Sequence, residues 1–325
     1  MAFVTRTSLE ENQVAIYFAA VVIGFLVALA APGDAWATAI NPALAALLYV
    51  TFLQVPLADL RRSLANGRFL LALLVVNFAL VPCVAFALVS LLPGEQWAVR
   101  LGALMVLLAP CIDYVVVFTQ LGRGDARLVL AATPVLLVAQ MLLLPVYLGL
   151  LVGGEAMALM RPGPFLEAFA WLIAVPLALA WATQAWAARS GTGKVVADAM
   201  GWLPVPLMAL VLFVVIAAVA PDVGAGAVAL AVPVYVAFAL VMPYGSRAVA
   251  RLLRLEAEAA RAVVFSGSTR NSLVVLPLAF AVPDSGALVP AVVVTQTLVE
   301  LVAMLAYIRW VPRLVPTVAG AAAAE

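Results

Sequence analysis

Long apolar runs alternate along the chain with short polar breaks. Ten runs stand out, at 14–31, 36–57, 69–92, 97–120, 128–152, 165–187, 201–220, 226–244, 262–282 and 287–311. About twenty apolar residues cross a bilayer as a helix, so the pattern predicts ten membrane spans and no separate soluble domain. The breaks "APGDA", "LPGEQ", "GRGDAR", "RPGP", "RSGTGK", "PDVGAG" and "PDSGA" are built from turn residues. The longest, "GSRAVARLLRLEAEAAR" at 245–261, reads as a short surface helix. The first run is longer than a signal-peptide core and is flanked by Glu10 and Glu11 as well as Arg6, so it is expected to remain as the first span.

Charge orients the spans. With the N-terminus inside, the inner loops and termini hold fourteen of the 17 Lys and Arg residues; the outer loops hold only Arg100 and Arg161. This asymmetry is what the positive-inside rule requires, and it predicts that both termini face the cytoplasm. One basic residue, Arg270, is left inside a span. Ten spans split into five and five, and an odd number per half turns the second half over. The expected architecture is therefore an all-α polytopic membrane protein, one transporter domain over 1–325, with inverted repeats at 1–160 and 161–325.

Composition agrees and narrows the chemistry. The chain of 325 residues is 67% hydrophobic and 10% charged, with mean hydropathy +1.19. A net charge of +1 gives nucleic acid no electrostatic foothold. The lack of histidine removes the commonest metal ligand and the usual general base. Cys83 and Cys111 both lie in apolar runs, with no metal-ligand spacing. No cofactor, metal site or enzyme activity is expected; the partners are the bilayer and a small solute.

Three ionisable residues fall at membrane depth: Asp113, Arg270 and Glu300. Each costs on the order of 2.5–3.5 kcal/mol if unpaired, so each should face the interior of the bundle. Asp113 follows Pro110 in "APCID", and Pro110 disturbs its helix by removing a backbone donor. Arg270 and Asn271 follow the small residues Ser266, Gly267, Ser268 and Thr269 in "SGSTRNS", which permit an unwound turn or a close crossing. Breaks in spans four and nine that cross near the midplane would make Asp113 the natural partner of Arg270, as a structural staple or a responsive pair. Glu300 lies one turn beyond Thr295, Gln296 and Thr297, in an inward polar stripe. Amides at Asn41, Gln54, Asn77 and Gln140 extend this polar core.

From about Ala46 to Pro316 the motifs resemble the arsenite-efflux permeases of the bile acid/arsenite/riboflavin transporter superfamily. "CIDYVVVFTQLGRGD" is similar to the family's fourth helix, with Cys111, Leu121, Gly124 and Asp125 in register. "VPLADL" (55–60), "NFALVP" (77–82) and "TLVELVAML" (297–305) resemble its helices two, three and ten. In helix nine the glutamate of arsenite permeases falls on Leu273, and the glutamate that serves sodium in bile-acid-type relatives falls near Ser266. Both acids are replaced, and Arg270 stands where relatives carry Asn or Gln.

The resemblance implies an antiporter in the cytoplasmic membrane that exports arsenite or antimonite, with Cys111 as a soft ligand. The fixed guanidinium of Arg270 would take the role of a coupling cation, so transport would use protons, through Asp113 and Glu300, or no ion, rather than sodium. Substrate would meet Cys111, Asp113, Arg270, Asn271, Asn77 and Glu300. The alternative is a carrier for a keto acid or other small carboxylate gripped by Arg270.

Overall fold

The computed structural model describes residues 6–30, 34–55, 66–112, 114–151, 167, 170–220, 225–282 and 285–317, and these are helical apart from short connections. In chain order the helices are α1 (Arg6–Glu11), α2 (Gln13–Ala30), α3 (Asp34–Gln54), α4 (Gly67–Val89) and α5 (Trp97–Leu107). Next come α6 (Val115–Leu121), α7 (Ala126–Leu151), α8 (Ala170–Ala187), α9 (Gly191–Met200) and α10 (Pro204–Val219). The last four are α11 (Ala225–Leu252), α12 (Ala257–Ser268), α13 (Ser272–Phe280) and α14 (Leu288–Leu314). Seven of these are long and apolar enough to cross a membrane, or eight if α9 and α10, bent by 44°, form one span. This count is below ten because the fourth and ninth apolar runs are each divided into two short helices, α5 with α6 and α12 with α13, and because α10 alone has only 16 residues.

Two local expectations change. "RSGTGK" is not a simple turn: Ser190 accepts from the Gly193 N–H at 3.4 Å and caps the start of α9. The 245–261 segment is not a separate surface helix either. It is shared between the end of α11 and the start of α12.

The chain forms two compact units. One contains Met1–Gln54, Leu159–Val228 and Leu273–Val294. Within it, α10 packs on α2 and α3, and α8 packs on α3 and α9. Gly24 allows the closest approach, since a Cβ there would lie 2.8 Å from the Phe213 carbonyl oxygen. At the end of α3, the Phe52 and Leu53 carbonyls lack helical donors, and the Gln184 amide donates to both, at 3.3 and 3.2 Å.

The other unit contains Val55–Ala158, Ala229–Ser272 and Thr295–Glu325. In α4 a π-helical turn over Val76–Leu80 precedes Pro82. Proline has no N–H for the carbonyl four residues back, here Phe78. The Tyr147 hydroxyl of α7 donates to that carbonyl instead. The same device recurs at Pro243 of α11, where the carbonyl four residues back, Ala239, receives the Tyr307 hydroxyl of α14. In an apolar medium such a carbonyl cannot turn to water, so both tyrosines act as surrogate backbone donors.

This reading makes a double-mutant prediction. Tyr147→Phe is expected to destabilise the protein by about 1–2 kcal/mol. In a Pro82→Ala background, which restores a local donor, the cost should fall well below that. Thermal unfolding of the four proteins in one detergent measures the coupling; equal costs in both backgrounds would overturn the surrogate role.

Candidate functional site

The site lies within the second unit, where the broken segments meet. Residues 108–112 leave the helical path after α5, and Thr269 is extended (φ −117°, ψ 142°) after α12. The two stretches pair as a single antiparallel bridge between Pro110 and Arg270. The Asn271 N–H donates to the Ala109 carbonyl at 2.7 Å, and the Cys111 N–H donates to the Thr269 carbonyl at 3.4 Å. This pairing uses the groups flanking Pro110 and Arg270, so the nitrogens of these two residues point away from each other. Proline suits such a position because no hydrogen is needed there. Arg270 does carry an N–H, and the Glu300 carboxylate accepts it at 2.7 Å.

Glu300 projects from α14 and is 4% exposed. Its other oxygen accepts from the Tyr114 hydroxyl at 2.6 Å, and the Gln296 amide donates to the oxygen shared with Arg270. Glu300 thus closes the break in the ninth run through main-chain recognition, not through a direct contact with the guanidinium.

The Arg270 side chain is fully buried, and its Nη groups donate to neutral oxygens. Nη2 donates to Asn77 Oδ1 at 2.8 Å and to the Ser266 carbonyl at 2.7 Å, and Nη1 donates to the Leu107 carbonyl at 3.3 Å. Leu107 ends α5, and Ser266 lies in the last turn of α12. The negative ends of two half-helices therefore converge on one cation. The guanidinium carbon also sits 5.5 Å from the centre of the Phe238 ring. Asn77, in the π-helical turn of α4, is itself oriented by donating to the Leu73 carbonyl (3.0 Å) and Ser266 Oγ (3.1 Å). Gly267 lets α12 approach this closely: a Cβ there would lie 2.4 Å from Val76 and 2.3 Å from Ser246.

A pocket of about 10 Å³ adjoins Glu300, lined in part by Ser268, Gln296 and Phe238. This is room for about one water. Gln296 Oε1 of its lining, and separately Arg270 Nε, are buried without hydrogen-bond partners.

The structure brings together Asn77, Pro110, Cys111, Arg270, Asn271 and Glu300. Cys111 is fully buried. Asp113, expected to pair with Arg270, lies outside the described residues. Gly267 and Ser268 do not belong to the break, because α12 continues through Ser268 and the extended backbone begins at Thr269. Gly267 serves close packing instead, and Ser268 lines the small pocket beside Glu300. Tyr114 and Phe238 were missed; an isolated aromatic in an apolar run carries no periodic signal. Gln140, a polar residue of α7, is fully buried with both amide atoms unpaired.

Long apolar helices and a polar crossing between two interrupted ones define a multi-pass membrane protein. The sequence model of the sodium bile acid symporter family matches residues 41–226, more than half of the chain. The chain belongs to this family of membrane transporters, and it is a transporter and not an enzyme. The matched region contains Asn77, Cys111 and Tyr114 but ends before Arg270 and Glu300. No curated protein matches the chain.

The geometry ranks these side chains by what they leave orphaned. Asn77→Ala removes an acceptor from a buried guanidinium and should cost about 1.5–3 kcal/mol. Glu300→Ala strands the Arg270 N–H and should cost a similar amount, whereas Glu300→Gln keeps one acceptor and should cost less. Unfolding temperatures in detergent test the order; a Glu300→Gln protein as unstable as Glu300→Ala would contradict it.

Proposed function

We propose that this chain is a ten-span secondary transporter of two inverted five-helix repeats (1–160 and 161–325). It exports arsenite or antimonite across the cytoplasmic membrane in exchange for protons, without sodium, and both termini are cytoplasmic. The observation that carries this reading is the oxygen cage around Arg270. Two half-helix ends and an amide oxygen form the kind of environment in which transporters hold a coupling cation. Here a tethered guanidinium fills it, and a charge that cannot leave has no use for sodium.

The repeat is supported by a common shift of about 160 positions. It relates Pro82 to Pro243, Phe78 to Ala239, Tyr147 to Tyr307 and Pro110 to Arg270. The same shift relates Gln140 to Glu300. The difference between these twins fits their chemistry: Arg270 needs an acceptor for its N–H, and Pro110 does not. The unit boundaries agree as well, since each unit takes parts of both halves.

Proton coupling is assigned to Glu300, with Asp113 as a second acid. A proton on Glu300 would turn an acceptor into a donor facing the Arg270 N–H and the Tyr114 hydroxyl, which weakens the closure of the break. For the substrate, a neutral metalloid trihydroxide suits a site whose described charges are one cation and one carboxylate. The Cys111 thiol supplies one soft contact, weak enough for release. The carboxylate reading has less support: a substrate carboxylate would have to displace Asn77 or main-chain carbonyls from Arg270.

Everted vesicles test the coupling. Arsenite uptake should persist when sodium is replaced at fixed pH and collapse when the proton gradient is dissipated; loss on sodium removal would overturn the reading. In a metalloid-sensitive host, Cys111→Ser should reduce protection by about tenfold or more, if the thiol contact contributes on the order of 1.4 kcal/mol. Unchanged protection would remove the thiol from the mechanism.

A further inference from the structure

The ends of α11 and α14 carry features that the transport site does not use. These helices have 28 and 27 residues. At about 1.5 Å per residue each is about 40 Å long, roughly 10 Å more than a bilayer's hydrocarbon core. An excess of this size equals about two turns, and the last two turns of both helices are basic: Arg247 and Arg251 on α11, Arg309 and Arg313 on α14. No Asp or Glu occurs over 245–255 or 301–317. The first acids after α11, Glu256 and Glu258, belong to the start of the next helix, where the Glu258 carbonyl accepts from the Asp125 N–H.

Two contacts bring these basic ends to the same face. The Tyr307 hydroxyl reaches the Ala239 carbonyl, and further along both helices Tyr244 and Trp310 meet edge to face at 5.4 Å. Both contacts advance toward higher residue numbers on each helix, so α11 and α14 run parallel and end together. Arg247 and Arg251 follow Tyr244 by three and seven positions, and Arg313 follows Trp310 by three, so they continue the faces that bear the rings. Arg251, Arg309 and Arg313 are exposed, and Tyr244 is 54% exposed. An aromatic pair at the headgroup level, with several guanidinium groups just beyond it, matches the chemistry of an anionic lipid. Guanidinium also binds phosphate through paired donors, which an ammonium cannot do.

We propose that the paired ends of α11 and α14 bind the phosphate headgroup of an anionic phospholipid in the leaflet they face. The Tyr244–Trp310 pair lies against its glycerol and upper acyl region, and the arginines hold the phosphate. The site depends on the membrane placement of these helices and not on the identity of the solute transported.

Native mass spectrometry of the full chain, titrated with phosphatidylglycerol or phosphatidylcholine, tests the proposal. The expected result is retained phosphatidylglycerol whose apparent affinity falls about tenfold or more in Arg251→Gln/Arg313→Gln, since each basic group contributes appreciably near a charged headgroup. Both residues are exposed, so this variant should fold. A control variant, Arg127→Gln/Lys194→Gln, should keep wild-type affinity, and glycerol 3-phosphate should not compete at matched concentration. Equal losses in test and control variants would mean diffuse charge attraction and would overturn the site. Competition by glycerol 3-phosphate would reassign it to a soluble phosphate, and equal retention of both lipids would exclude headgroup recognition.

Discussion

Burial of the Arg270 guanidinium is the constraint around which the second unit is built. A full charge in an apolar interior is tolerated only when its donors meet acceptors. The solution here recruits the end of α5, the last turn of α12 and an amide from α4. Each contributor has a local reason to be available. The helix ends have carbonyls without intrahelical donors. Asn77 lies in a π-helical turn beside Pro82, where the backbone is already irregular. Sequence irregularities that would each weaken a soluble helix are here combined into one coordination shell.

The crossing itself follows from a mismatch between its two strands. Pro110 and Arg270 occupy equivalent places in the bridge, yet one lacks the hydrogen that the other must satisfy. Glu300 answers this need on one side only. The acid is thereby tied to the main chain of the broken run, so its protonation state bears on backbone geometry before it bears on any solute. A carboxylate aimed at the guanidinium would have been a stiffer and more conventional pair, but it would have left the Arg270 N–H unsatisfied.

Much of this arrangement was legible in the residues. Unbroken apolar runs can be nothing but buried or lipid-facing helices, and the breaks at Pro110 and near Arg270 were marked by proline, small residues and charge. Membrane-depth polarity also singled out Asn77 and Glu300. The partners of Arg270 were harder to read, because three of its contacts are carbonyl oxygens or a ring, and every residue offers a carbonyl. Gly267 shows a related ambiguity: glycine permits unwinding and close packing alike, and only the neighbours Val76 and Ser246 decide between them. Tyr147 and Tyr307 carry no signal of their own within apolar runs; only the prolines on adjacent helices give their hydroxyls a purpose.

Those two tyrosines have a mechanical consequence. At a proline an α-helix loses a rung of its own ladder and bends most easily there. When the missing rung is supplied by another helix, bending at that point pulls on the donor as well. α4 is thereby coupled to α7 at Phe78, and α11 to α14 at Ala239. The soft points of this unit are thus shared joints rather than independent hinges, and a displacement that begins in one helix is delivered to its partner at a defined depth.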